Sequence, residues 1–170
     1  MILTIYTLIH VIISLVGIFS GFVVLSGLLA GKLLDGWTSL FLKTTVLTSV
    51  TGFFFPVHHI LPSHIVGIIS LVVLAVAIYA LRSRRLAGVW RKIYVFSAVM
   101  ALYLNVFVAI VQSFLKIPPL RNLAPTQTEP PFKVTQLIVL VAFVALAIVA
   151  AIRFRNAPVE PRGNWTNPLS

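Results

Sequence analysis

Five apolar stretches, at residues 2–30, 37–56, 64–81, 92–115 and 134–152, take up most of the chain. Each is near or above the roughly 20 residues that carry a helix across about 30 Å of hydrocarbon. A helix closes its backbone hydrogen bonds within one segment, so it can stand in lipid without an outside partner. The expected architecture is an all-α membrane bundle of five transmembrane helices, one domain over residues 1–152, followed by a flexible basic tail over 153–170. A soluble fold fails on composition. Of 170 residues, 59% are hydrophobic and 9% charged, which leaves a water-soluble domain of this size with more apolar surface than its interior can hide. The first stretch is the longest and should tilt or project beyond the bilayer. The second is the most polar, because Lys43 lies there among many Thr and Ser residues.

Basic residues orient the bundle. Lys32 lies in the connection 31–36, Arg82, Arg84, Arg85, Arg91 and Lys92 lie in the next connection on that side, and Arg153, Arg155 and Arg162 lie in the tail. The opposite side holds only Lys116, Arg121 and Lys133. Cytoplasmic loops carry the excess of Lys and Arg, so the N-terminus is expected outside and the C-terminus in the cytoplasm. Trp37, Tyr79 and Trp90 then lie near the cytoplasmic interface and Tyr6 near the outer one, as an aromatic belt. A cleaved signal peptide is the rival reading of the first stretch, given Gly27, Ala30 and Gly31 at its end. Against it stand the lack of a basic leading segment and an apolar run well beyond the usual length of about 7–15 residues.

The net charge of +10 does not point to nucleic acid, because the basic residues flank apolar stretches instead of alternating with aromatics in one patch. The expected partners are the bilayer itself and anionic lipid head groups on the cytoplasmic side, at about 1 kcal/mol per basic residue near such a surface. With no cysteine in the chain, disulfides, thiolate metal sites and thiol catalysis are excluded.

Small and hydroxyl-bearing residues recur at helical spacing. His10, Ser14, Gly17 and Gly21 share one face of the first stretch. Gly17 with Gly21, and Gly27 with Gly31, form GxxxG pairs that let helix backbones approach closely in lipid. Thr44, Thr48 and Thr51 make one stripe of the second stretch, and Thr45, Ser49 and Gly52 its neighbour; such residues bond to their own helix or across to another. Packing within the chain is the simpler expectation than a dimer face, since five helices must find partners. Lys43 lies about two turns inside the membrane and is expected to snorkel its ammonium back toward Asp35. In the fourth stretch Ala98, Ala101, Asn105, Ala109 and Gln112 share a face, with Tyr103 nearby. The carboxamides of Asn105 and Gln112 must find hydrogen bonds inside the bundle, so they are expected to face other helices. The fifth stretch offers Ala147 and Ala151 for close packing.

In this orientation all four histidines, His10, His58, His59 and His64, fall in the outer half. Imidazole is a frequent metal ligand and also binds haem iron. A haem b, metal or quinone site would use these four, with Tyr103, Asn105 and Gln112 lining a cleft; a metal ion would be held by His58, His59, His64 and Glu129. The spacing matches neither HExxH nor a known zinc pattern, and hydrated histidines in an outer turn are the simpler reading. Glu129 belongs to the segment 116–133, whose five prolines favour a loop folded over the bundle as a lid. The sequon Asn164-Trp165-Thr166 falls in the tail, on the side expected to be cytoplasmic, and is read as chance.

The strings TSVTGF at 48–53, LPSHIVGIISLVVLA at 61–75, ALYLNVFVAIVQSF at 101–114 and LAPTQTEPPF at 123–132 resemble a group of small multi-pass bacterial inner-membrane proteins with no assigned activity. The resemblance covers residues 40–135 or so and implies a bacterial cytoplasmic membrane. It brings no activity, cofactor or site residue with it. Three functions fit the residues: an accessory or assembly component that docks on a larger membrane complex or on its own copies; a haem, metal or quinone protein with its site in the outer half; and a small-solute transporter. The last is weakest, because the stretches contain no carboxylate and no inverted repeat. An enzyme is disfavoured for want of a nucleophile with an oriented base.

Overall fold

Long apolar runs free of interior proline coil into helices, and a computed structural model describes residues 2–54 and 62–155 in this form. The elements are α1 (Ile2–Leu29), α2 (Asp35–Gly52), α3 (Pro62–Arg82), α4 (Trp90–Lys116), α5 (Pro118–Leu123) and α6 (Pro130–Arg155). No strand occurs among the described residues. Four helices, α1, α3, α4 and α6, are long and apolar enough to cross a membrane. The expected second span is present as α2, but its described 18 residues do not reach that apolarity, because Asp35, Lys43 and a run of hydroxyl residues dilute it. The segment 55–61 and the tail 156–170 lie outside the described residues.

Local chemistry sets the helix ends. Gly31 takes a left-handed φ of 71°, the Lys32 amide returns to the Gly27 carbonyl at 2.8 Å and the Gly31 amide to Leu28 at 3.1 Å. This is a Schellman stop, in which glycine accepts a conformation costly for other residues. A Cβ on Gly27 would meet the Leu34 side chain at 2.8 Å, so the second expected GxxxG pair closes a turn rather than packing two helices. α4 stops where Ile117, extended at φ −90°, ψ 113°, precedes Pro118 and is kept out of helical space by that ring. The prolines that open α5 and α6 occupy first-turn positions, where their missing N–H costs no helical bond. The short α5 was not expected from the sequence; it lies in the proline-rich connection and packs back on α4. There Gln127 donates to the Val111 carbonyl at 2.8 Å, and the rings of Phe114 and Phe132 meet edge-on at 5.3 Å.

Helix α4 is central, with α1, α3 and α6 around it, while α2 lies against α1 and α3. The apolar core gathers in one half of the bundle. It joins Val24, Leu25 and Leu28 of α1, Phe41 and Leu42 of α2, Leu74, Ala77 and Ala80 of α3, Tyr94 to Leu102 of α4 and Phe143 to Phe154 of α6. Small residues let these helices close: Ala77, Ala80, Ala101 and Ala150 are fully buried, and Ala147 and Ala151 nearly so. Outward faces of α1 and α6 present bare Leu, Ile, Val and Phe along most of their length, a surface suited to lipid and not to water.

Candidate functional site

Away from the apolar core, α1 and α2 meet through hydroxyls. The Tyr6 hydroxyl donates to the Thr51 carbonyl, His10 Nδ1 lies 2.8 Å from Thr51 Oγ1, and Ser14 Oγ lies 3.5 Å from Thr48 Oγ1 while donating to the His10 carbonyl at 2.7 Å. Further along, Gly17 faces Thr44 and Thr45, and Gly21 faces Phe41 and Leu102. Gly17 and Gly21 of α1 thus lie against the Thr44 side of α2, and His10 and Ser14 against Thr51 and Thr48. Thr45 also accepts from Asn105 Nδ2 at 3.2 Å, and Ser49 donates to Ser70 at 3.1 Å, so α2 turns polar groups to α1, α3 and α4. Each such contact contributes about 0.6 kcal/mol in a membrane.

His10 is tied to α2 through Thr51. Thr51 Oγ1 also lies 2.7 Å from the Leu47 carbonyl, so its hydroxyl is shared between its own helix and the His10 ring. The other expected ligands do not join it among the described residues. His58 and His59, and the side chain of His64, lie outside them. No metal-competent cluster occurs in the described part. Glu129 turns its carboxylate onto its own loop, accepting from the Thr126 amide and hydroxyl at 3.1 and 2.9 Å and from the Thr128 amide at 3.0 Å. Nor do Tyr103, Asn105 and Gln112 line one cleft. Asn105 faces α2, Gln112 is exposed instead of facing other helices, and Tyr103 lies in an apolar groove of about 500 Å³ with Phe96, Met100 and Phe143 between α4 and α6.

A different site opens at the basic end. α2 and α3 touch at Ser49 and Ser70, and between them, toward Asp35 and Arg82, lies a cavity of about 1920 Å³, larger than the ~300–1,000 Å³ of ordinary ligand pockets. Its lining includes the apolar Leu42, Val46, Leu47, Val50, Ile78 and Leu81, and it carries Lys32, Lys43, Arg82, Arg85 and Arg91 with, among the described residues, one acid, Asp35. Leu47 and Val50 are 47% and 38% exposed, so the cavity is open sideways between the two helices as well as at its charged end.

The α3–α4 connection folds across the mouth. Arg85 and Leu86 both hold left-handed backbone, at φ 47° and 57°, a conformation that costs a bulky residue about 1–2 kcal/mol. Leu86 maintains it by burying its side chain in the core at 9% exposure and by donating its amide to the Ala80 carbonyl at 3.1 Å. The Arg85 backbone is thereby held at the cavity wall. Arg91 lies 5.6 Å over the Phe154 ring, which forms another part of that wall. Thr38 is on the wall too, 1% exposed, and its hydroxyl has no hydrogen-bond partner. The Tyr94 hydroxyl beside it is equally buried and makes no bond of proper geometry with it. Two cations of this end lie off the cavity: Arg84 stacks on Tyr79 and Trp90 at 5.6 and 4.9 Å, and Arg153 donates to the Leu29 carbonyl at 3.3 Å.

The sequence placed Lys32, Arg82, Arg85 and Arg91 on one side, for topology and for anionic lipid head groups, and set Lys43 toward Asp35, without joining the five in one cavity. The signal available was the coincidence of a lysine two turns inside α2 with arginines at the close of α3. Comparison with protein-family models, with curated proteins and with solved structures finds no match to this chain.

Proposed function

We propose that this protein is an accessory component of a bacterial cytoplasmic membrane that works by binding: it holds an anionic amphiphile in the cavity between α2 and α3. In this reading α2 is a fifth span, made tolerable in the bilayer by hydroxyls satisfied against α1, α3 and α4. The N-terminus is outside, and the basic mouth lies at the cytoplasmic surface, where acidic lipids and positive loops meet. The observation that carries the reading is the joining of five cations to an apolar, laterally open slot. A charged head with a hydrocarbon tail matches both halves of that lining, whereas a soluble anion leaves the apolar slot unfilled and an apolar ligand makes no use of the charged end.

The test is the lipid retained through purification in mild detergent. Lipid extracted from the wild-type protein should be enriched in acidic species roughly tenfold over the surrounding membrane, and a Lys43→Gln, Arg82→Gln, Arg85→Gln variant should lose the enrichment while keeping its helical circular dichroism. Identical lipid profiles for the two proteins would remove the cavity from the function.

A further inference from the structure

We infer that the groove between α4 and α6 is a second binding site, for a flat, uncharged ring that carries a hydrogen-bond acceptor on an apolar chain, the chemistry of an isoprenoid quinone. The groove has a volume of about 500 Å³, within the ~300–1,000 Å³ of ordinary ligand pockets. It shares no lining residue with the cavity between α2 and α3. Phe96, Met100 and Tyr103 of α4 line it together with Leu140, Phe143 and Val144 of α6. Phe96, Met100, Leu140 and Val144 are exposed, so the groove opens on the outward, lipid-facing side of two helices that are long and apolar enough to cross a membrane.

Tyr103 selects the ligand. It stands at the midpoint of α4 (Trp90–Lys116), about 20 Å from either end. Its hydroxyl makes no hydrogen bond to a described residue, and the nearby Asn105 carboxamide is turned to Thr45 of α2 at 3.2 Å. A phenol at that depth has no water to bond, and an unpaired hydroxyl costs free energy in hydrocarbon. Phospholipid does not relieve that cost, because its head group and ester carbonyls lie at the interface, about 15 Å from the mid-plane, and its chains carry no acceptor. A charged ligand is opposed by the cost of placing a charge at mid-membrane. What fits is a neutral acceptor carried into the bilayer interior on an apolar body. Aromatic neighbours favour a flat one: the Phe143 ring lies 5.7 Å from that of Tyr103 at an angle of 58°, and Phe96 lines the same groove, so ring faces and edges border the space a ligand ring would fill.

Full-length protein in mild detergent, titrated separately with decylubiquinone and with decylbenzene and followed by native mass spectrometry, tests the assignment. The two probes share a tail and a flat ring, and only the first carries acceptors. Decylubiquinone should bind at least tenfold more tightly than decylbenzene. Tyr103→Phe keeps the ring and removes only an unpaired hydroxyl, so the fold should stand while the two affinities become equal. Equal affinities in the wild-type protein, or binding of neither probe, overturn the proposal. A preference for decylubiquinone that survives Tyr103→Phe overturns it too, and loss of that preference in the Arg82→Gln, Arg85→Gln variant instead would move the ring to the cavity between α2 and α3.

Discussion

Gly21 shows how much of this bundle rests on single atoms. A Cβ there would meet Leu102 Cδ1 at 2.5 Å and Phe41 Cε2 at 2.9 Å, contacts that both core side chains must move to relieve. Gly21→Ala is expected to cost about 1–3 kcal/mol by overpacking, read as a lower thermal midpoint in detergent. A Cβ on Gly36 would meet nothing within 4 Å, and Gly36→Ala should be neutral or stabilise by up to about 1 kcal/mol, since alanine loses less backbone freedom on folding. A lower midpoint for both variants alike would contradict the packing described between α1, α2 and α4. Glu129 offers a residue-scale test of charge. Slight desolvation raises its carboxyl pKa, but its own amide and the Thr126 and Thr128 donors favour the charged form and bring it below the ordinary glutamate value. Because the folded value is lowered, the loop's stabilisation by this group is complete above the ordinary pKa and is lost as pH falls through the lowered one. The Thr126 and Thr128 amide resonances should shift with that titration, and should stay fixed in Glu129→Gln.

At the scale of elements, the helix most legible in chemistry was the least legible as a span. Lys43, Asp35 and the threonines make α2 too polar to read with the certainty of α1 or α6, yet those same hydroxyls are what join it to three neighbours. The stripes of Gly17, Gly21, Thr44, Thr48 and Thr51 were readable because helical periodicity alone puts them on facing surfaces. Gly27 and Gly31 obeyed the same spacing and did something else, since a GxxxG pair at a helix end is also the pattern of a Schellman stop. The α3–α4 connection carries a prediction of its own. Leu86→Ala should cost about 2–5 kcal/mol through lost burial and should also weaken acidic-lipid retention, because Arg85 loses its anchor although no charge is removed. Unchanged retention in a destabilised Leu86→Ala protein would separate the turn from the site.

For the whole molecule, alternation of basic and nearly uncharged connections gave the ends of the bundle, and the fold brings Lys32, Arg82, Arg85 and Arg91 together at one of them. What the alternation does not encode is convergence: residues 32, 43, 82, 85 and 91 share a cavity only because α2 and α3 part below Ser49 and Ser70. Spacing along a chain carries no record of such a gap. The proposed topology is tested by single cysteines at Ser83 and Thr126, which an impermeant thiol reagent should label from opposite sides of the membrane, Thr126 from outside. Labelling of Ser83 from outside would invert the bundle and put the cationic mouth on the wrong surface. The sideways opening at Leu47 and Val50 then has a kinetic meaning. Under the proposed function, a tailed ligand would reach the charges by drifting within its own leaflet without passing through water, so exchange would be two-dimensional and occupancy would follow the ligand's mole fraction among the lipids, which would make the protein a reader of membrane composition.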